Sequence, residues 1–405
     1  MMIPFSPPKI TNEIIRAVEE VLRSGWITTG PKTKEFERRL TEYCGCKSTL
    51  CLNSATAGLE IMLRWFGVEK GDEVIVPAYT YSATANVVVH CGAKVIFVDT
   101  NKNDFNISIE QIEKAITKHT KVIMPVDFAG LPCDYDAINA LVKRKDIQKK
   151  FTAKTKEQKQ LKRILVLSDA AHSIGAIYKG KKAGCLTDVS VFSFHAVKNL
   201  ITAEGGAVCL NLPTPFNNEE IYKQLCIKTL HGQNKDALAK TQKGAWRYDI
   251  IEAGFKCNMT DIAAAIGLSE LAVYDSDTLK KRKEICDIYS NAFSKYDWAE
   301  LPVMRDENRE SCYHLYPLRI KGIKEKQRDE IIKEIFERNV SVNVHFIPVP
   351  MMSYYKKNGY KISNYKTAYN NYAREISLPV YYNLSSEQIS QVIEAVASSV
   401  KKVLG

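Results

Sequence analysis

Five short apolar runs punctuate the first half of the chain, and they restrict its fold more than any other feature. They are EVIVP (73–77), KVIFVD (94–99), KVIMPV (121–126), RILVLSD (163–169) and VSVFSF (189–194). Each is rich in β-branched residues, continuous rather than alternating, and too short for a helix, as strands buried on both faces require. Helical patterns such as SIEQIEKAITKH (108–119) lie between several of them. This alternation predicts an α/β domain with a mostly parallel central sheet between helices. The texture changes after about residue 265. SELAVYDSDTLKKRKEICDIYSNAFSKY (269–296) reads as one long amphipathic helix, followed by HLYPLRI (314–320), EIIKEIFERN (330–339), VSVNVHFIPV (340–349) and a closing helix over 386–404. A chain of 405 residues suits two domains. The expected division is a large α/β domain over 1–265 and a smaller α+β domain over 266–405.

The net charge of +11 raises the question of nucleic acid, so its location matters. VKRKDIQKKFTAKTKEQKQLKR (142–163) carries a net +8, leaving only +3 on the rest. A single basic run without interleaved aromatics reads as a solvated face, and here as a surface insertion, not a nucleic-acid site. The N-terminus lacks the apolar core of a signal peptide, and no stretch is long and apolar enough to span a membrane. Eleven cysteines without a C-x-x-C pair suggest free thiols in the cytoplasm and no zinc site.

Ligands of open α/β sheets bind at the carboxyl ends of the strands. Three features fall there. Asp169 ends one run, with His172 three residues on; Ser193, His195 and Lys198 lie at and beyond another. Upstream, Ser54, Ala55 and Thr56 open a helix after an apolar segment, leaving backbone N–H groups free for an anion. Singly, each has an ordinary reading: an N-cap, a turn-capping carboxylate, structural histidines, a solvated lysine. Together they supply what pyridoxal 5′-phosphate needs: a phosphate cradle, a carboxylate for the pyridine nitrogen and a lysine for the aldehyde. Tyr81, just past the 73–77 run, stands where an aromatic could stack on the ring.

Seven blocks in order carry a resemblance over almost the whole chain. They are SGWITTGP (24–31), SATAGLEIML (54–63), GDEVIVPAYTYSATAN (71–86), SDAAHSIGA (168–176), FSFHAVKNLITAEGGAV (192–208), GFKCNMTDIAAAIGLSEL (254–271) and VHFIPV (344–349). The sequence resembles the sugar aminotransferases of the DegT/DnrJ/EryC1/StrS family, which are fold-type I pyridoxal-phosphate enzymes. Within it, the nearest likeness is to the branch making UDP-4-amino-4-deoxy-L-arabinose. The resemblance implies that Lys198 forms the Schiff base and shuttles the proton, Asp169 pairs with the pyridinium, and His172 lies near the phenolic oxygen. Ser54, Ala55, Thr56 and Ser193 would hold the phosphate, Tyr81 would stack, and Asn258 would reach in from a second subunit of a homodimer. Lys256 and His345 match positions near the substrate. L-glutamate is the expected amino donor and a nucleotide-linked keto sugar the acceptor, with C4 of a UDP-4-keto sugar favoured.

Departures exist. The phosphate turn is Ser-Ala-Thr where most relatives have Ser-Gly-Thr, and Asp127 stands where many have histidine. A dTDP- or GDP-keto-sugar aminotransferase, or a non-catalytic regulator of the same fold, stays open at this point. A nicotinamide dehydrogenase does not, because no G-x-G-x-x-G follows any predicted strand.

Overall fold

The computed structural model describes residues 2–235 and 247–405. Its central sheet contains β1 (Ser48–Leu52), β2 (Glu73–Pro77), β3 (Lys94–Val98), β4 (Thr120–Ile123), β5 (Leu165–Asp169), β6 (Val189–Ser193) and β7 (Gly206–Leu210). Their spatial order is β1-β7-β6-β5-β4-β2-β3. Only β7 runs against its neighbours, pairing antiparallel with both β1 and β6. The five apolar runs are thus β2 to β6. Every residue of β1, β5, β6 and β7 is buried, as expected for strands covered on both faces.

Helices α1 (Asn12–Ser24), α2 (Pro31–Cys44), α3 (Ala55–Trp65) and α4 (Ser82–His90) belong to this layer structure. Helix α3 lies unusually close to the sheet. A Cβ on its Gly58 would come within 2.8 Å of Val191 on β6 and 3.0 Å of Val208 on β7. The expected long helix over 269–296 is instead two, α5 (Asp261–Val273) and α6 (Leu279–Phe293), joined by one π turn at Tyr274–Thr278. The sequence boundary expected at 265/266 falls inside α5.

A second core gathers α6, α7 (Glu325–Glu337) and α8 (Ser386–Leu404) over the three-stranded sheet β8 (Ala299–Glu300), β9 (Tyr316–Ile320) and β10 (Glu375–Leu378). The chain start joins it. Ile3 is 2% exposed and exchanges backbone bonds with Asn339 and Ser341. The 340–349 segment forms no continuous strand, only bridges from Val340 to Ile3 and from Asn343 to Ser377. Pro348 and Pro350, which lack N–H donors, follow closely and cannot extend such a ladder.

The basic run is anchored more firmly than a solvated face. Most of its lysines are exposed, but Val142, Ile147, Gln158 and Leu161 are buried beneath them. Lys154 bridges Glu69 and the buried Asp72, and buried Lys121 donates to the Thr152 carbonyl. Arg163 leaves solvent altogether. Its guanidinium makes two 2.7 Å bonds to the buried carboxylate of Asp188, which also accepts from Val166 N. Among the described residues, no helix is long and apolar enough to cross a membrane. All eleven cysteines are free.

The Arg163–Asp188 pair gives a stability test. Arg163→Ala leaves a buried carboxylate without its counter-charge, which costs about 3–5 kcal/mol. Denaturant unfolding should register this as a lower midpoint, with Arg163→Ala plus Asp188→Ala partly restored.

Candidate active site

A cavity of ≈ 500 Å³ opens at the carboxyl edge of the central sheet. That size is ample for a cofactor-sized ligand. Strand ends supply its floor. β5 delivers Asp169, β6 delivers Ser193, and β1 leads through Asn53 into Ser54 and the start of α3. Ser54 caps that helix by accepting from Ala57 N at 3.1 Å. The amides of Ala55 and Thr56, ahead of the first helical bond, are the free donors of the helix N-terminus and line the cavity.

Gly205 and Gly206 explain why a Glu-Gly-Gly turn follows Lys198. The register places Gly206 opposite Leu52 on one side and Ser193 on the other. A Cβ there would lie 2.4 Å from Ala55 N, 2.5 Å from Ser54 C and 2.8 Å from Phe192 O. Only glycine lets the helix start and the end of β6 converge. Lys198 itself sits in a turn closed by Lys198 N on His195 O at 2.8 Å. Among the described residues, no hydrogen bond or ion pair holds its ammonium. Burial lowers its pKa to about 8, against the pull of Asp169 and Cys312.

Asp169 is 6% exposed and oriented by two donors: Thr84 Oγ1 at 2.7 Å, from α4, and Ala171 N at 3.3 Å. Burial raises its pKa, while Thr84, the Ala171 amide and Lys198 act in the other direction. His172 is buried, and its Nδ1 has no hydrogen-bond partner. An unpaired polar atom of this kind costs about 1–3 kcal/mol, and it lies where a ligand can satisfy it. Its ring packs against His314, with centroids 4.3 Å apart, and against Phe346 at 5.7 Å. Burial, with Lys198 nearby, holds both His172 and His314 well below the ordinary imidazole range.

The structure brings Ser54, Ala55, Thr56, Tyr81, Asp169, His172, Ser193, Lys198 and His345 together in this one cavity. Tyr81 is 62% exposed at the rim, with its ring 5.8 Å from that of Phe346. Lys256 and Asn258 are absent from the lining. They bond to each other beside Thr29, to which Asn258 Nδ2 donates, in a segment bridged to Leu52 at the end of β1. Asp127 faces away from the cavity. Its carboxylate accepts from Cys133 N, Tyr135 Oη and Ser173 Oγ at 2.6–2.9 Å, so it braces the segment that carries His172. Thr84, His314 and the N-terminal Phe5 were not legible as site residues. Thr84 reads as an ordinary helix threonine, and Phe5 and His314 arrive from parts of the chain remote from the strand ends.

Family comparison gives this geometry its identity. The profile of the DegT/DnrJ/EryC1/StrS aminotransferase family matches residues 8–149 and 153–397. The chain belongs to this family. The break in the match, at 150–152, falls inside the basic run. Among relatives, the Bacillus subtilis spore coat polysaccharide biosynthesis protein SpsC is 36% identical over 405 residues, covering 98% of this chain and 97% of that protein. Among solved structures, Spr1654 of Streptococcus pneumoniae, assigned as a sugar aminotransferase, superposes in its PMP form with a TM-score of 0.95. It is 46% identical, over 99% of this chain and 100% of that one. PseC of Helicobacter pylori, an aminotransferase of pseudoaminic acid biosynthesis, superposes with a TM-score of 0.86 at 28% identity, over 99% and 100% of the two chains.

This DegT-family chain is therefore a fold-type I, pyridoxal-phosphate-dependent sugar aminotransferase, and its cavity fits the cofactor. The helix amides of α3 with Ser193 suit the phosphate, buried Asp169 suits a cationic ring nitrogen, and orphaned His172 Nδ1 suits a phenolic oxygen. The Ser-Ala-Thr turn is accommodated, because the space denied to a side chain lies at Gly206 and not at Ala55. Gly206→Ala should separate the helix start from β6. Losing one charge-assisted phosphate bond weakens cofactor binding by about 10- to 100-fold. Spectroscopic titration with pyridoxal phosphate should show this while circular dichroism stays that of the folded protein.

Proposed function

We propose that this chain transfers the amino group of L-glutamate to a nucleotide-linked keto sugar, at C4 of a UDP-4-keto sugar, for cell-surface polysaccharide or glycan synthesis in the cytoplasm. The family match supports the sugar part of this reading, and one observation bears on how a nucleotide's pyrophosphate would be held. Among the described residues, Lys198 is the only lysine or arginine lining the cavity, and the cofactor's phosphate and lysine chemistry already engage that end. A sugar-linked pyrophosphate would need more cations than the described lining offers, and a second copy could supply them. Lys256 and Asn258, exposed or half-buried beside this site and turned away from their own cavity, are suited to complete the site of a second copy. Exposed Ile27, beside Thr29, and exposed Ile250 and Ile251, a few residues before Lys256, favour burial of this region in a homodimer. The names of SpsC and PseC, which belong to polysaccharide and pseudoaminic acid biosynthesis, support the destination.

When bound, pyridoxal phosphate supplies an electron sink that acidifies the carbon bearing the transferred nitrogen. The chain's own residues do the rest. Lys198, its charge disfavoured by burial, would take the proton from that carbon and hold it at Nζ. Asp169, fixed by Thr84, would face the ring nitrogen and favour its protonated form. Tyr81 and Phe346, with rings 5.8 Å apart, border the rim.

Two measurements test this reading. Purified protein with L-glutamate and a panel of UDP-, dTDP- and GDP-linked 3- and 4-keto sugars should yield an amino sugar, detected by mass spectrometry, from the UDP-4-keto compound. Transfer confined to a dTDP or GDP sugar overturns the nucleotide assignment. Shared sites are tested by mixing inactive Lys198→Ala with a Lys256→Glu plus Asn258→Asp variant. Random reassociation of a dimer regains about a quarter of wild-type activity, one intact site in half the dimers. No recovery in a mixed dimer rules out a contribution from the second copy.

A further inference from the structure

His345 is held more tightly than a substrate contact requires. Its N–H donates to Glu375 Oε2 at 3.0 Å, its carbonyl accepts from Tyr79 Oη, and its ring stacks on Phe5 at 5.5 Å with 26° between planes. Its Nδ1 meets Ser377 Oγ at 3.0 Å, and Ser377 Oγ in turn bonds Glu375 Oε1. Glu375 and Ser377 are fully buried on β10, with exposure of 0% each. With Nδ1 engaged by serine, Nε2 is the ring nitrogen left for the cavity that His345 lines.

We propose that His345, Ser377 and Glu375 form a proton relay for amino transfer in this cavity, taking one proton shed by the donor's ammonium group and returning it to the sugar carbonyl oxygen, which leaves as water with its second hydrogen taken from the attacking amine nitrogen. The inference rests on amino transfer to a keto sugar here, and on no choice of nucleotide.

The three groups admit two arrangements with the same heavy-atom positions. With Glu375 ionised, His345 Nδ1–H donates to Ser377 Oγ, Ser377 O–H donates to Glu375 Oε1, and Nε2 carries a lone pair. With Glu375 protonated on Oε1, the carboxyl donates to Ser377 Oγ, serine donates to Nδ1, and Nε2 bears the hydrogen. Uptake of one proton forms the Nε2–H bond and breaks Nδ1–H. That hydrogen passes to Ser377 Oγ, whose own hydrogen passes to Oε1. The carboxylate becomes a carboxylic acid and the imidazole stays neutral throughout. Neutrality matters in this cavity, because burial, with Lys198 facing the ring, lowers the His345 pKa to about 3 and opposes an imidazolium.

Glu375 is a suitable terminus. Burial pushes its pKa up to about 8, while Ser377, the His345 amide, Arg328 and Arg319 favour its ionised form. Tyr79 also faces it. Both arrangements are therefore populated near neutral pH. Ser377 and Glu375 act through His345 and are positioning residues, with only His345 facing the reacting groups.

Nitrogen NMR of histidine-labelled holoenzyme, with the His345 signals assigned by their loss in His345→Gln, reads the tautomer directly. As pH rises through about 8, the hydrogen should move from Nε2 to Nδ1 without imidazolium signals. In Glu375→Gln, which cannot ionise, the tautomer should not change. In activity, Glu375→Gln and Ser377→Ala should lower kcat by about 10- to 100-fold with KM little changed, and Ser377→Thr should restore it. A single His345 tautomer across this range in the wild type overturns the relay, as does a Ser377→Ala protein with unaltered kcat and pH profile. Inactivity of the wild type on every keto sugar would sink the functional reading instead, and the tautomer measurement would still decide the relay.

Discussion

The carboxyl edge of the sheet depends on one backbone-to-backbone contact, at Gly206. An antiparallel strand is threaded between two parallel ones, and its first residue faces the end of β1 and the end of β6 at once. Without a side chain at that point, the start of α3 can rest against the Phe192–Ser193 backbone. Gly58 does the same one turn into the helix, where Val191 and Val208 leave no room for a methyl group. Glycine costs conformational entropy in both places, and in the helix about 1 kcal/mol relative to alanine. The return is geometric. Helix amides, Ser193, Asp169 and Lys198 are brought to one cavity by rigid elements instead of mobile loops.

Within that cavity burial shifts five groups in the same sense, toward the uncharged form. It lowers Lys198, His172, His314 and His345 and raises Asp169. The sign for stability follows. Asp169, raised in the folded state, weakens the fold as pH climbs through its folded pKa. Lys198 and the histidines, lowered there, weaken it as pH falls through theirs. A ligand that brings a phosphate dianion to the helix amides and a cationic ring nitrogen to Asp169 relieves part of this penalty. Binding of the cofactor and stability of the fold are thus thermodynamically linked.

Much of this was legible before the structure. Five continuous apolar runs became five strands because two-sided burial leaves little choice of residue, and that periodicity survives in any sequence that builds such a sheet. Strand-end residues Asp169, Ser193 and Lys198 followed from the same logic. What was not legible lies at sequence-distant junctions. β7 carries little signal because GAVCL is short and opens on the second of two glycines, and the strand at 375–378 because Glu375 and Ser377 break an apolar pattern. The π turn at 274–278 preserves helical periodicity on both sides and leaves no local signal. Asp127 stands where many relatives have histidine, and its carboxylate is consumed by Cys133, Tyr135 and Ser173. The basic run read correctly as charge on the outside, but Arg163 at its end shows that a charge count cannot distinguish a solvated guanidinium from a paired, buried one.

The second core is a wall of the cavity and not merely an appendage to it. Asn199, next to Lys198, donates to Cys312 O at 2.7 Å and bonds His314 Nδ1 at 2.9 Å. Because its amide nitrogen is committed to the carbonyl, its oxygen accepts, and His314 must carry its hydrogen on Nδ1. Arg282 of α6, fully buried, then grips the Tyr313 and His314 carbonyls at 3.0 and 2.6 Å. A guanidinium satisfied by two carbonyls, rather than by a carboxylate, fixes the backbone in place. The lysine turn, the histidine that backs His172, and the helix leading into the C-terminal core are therefore one mechanical unit. Displacing the C-terminal core would have to move the turn that carries Lys198, and would draw His345, bonded to Glu375 and Ser377 on β10 and stacked on Phe5, away from Tyr79. The cavity's geometry is set jointly by both cores, which is why its lining is drawn from nearly the whole length of the chain.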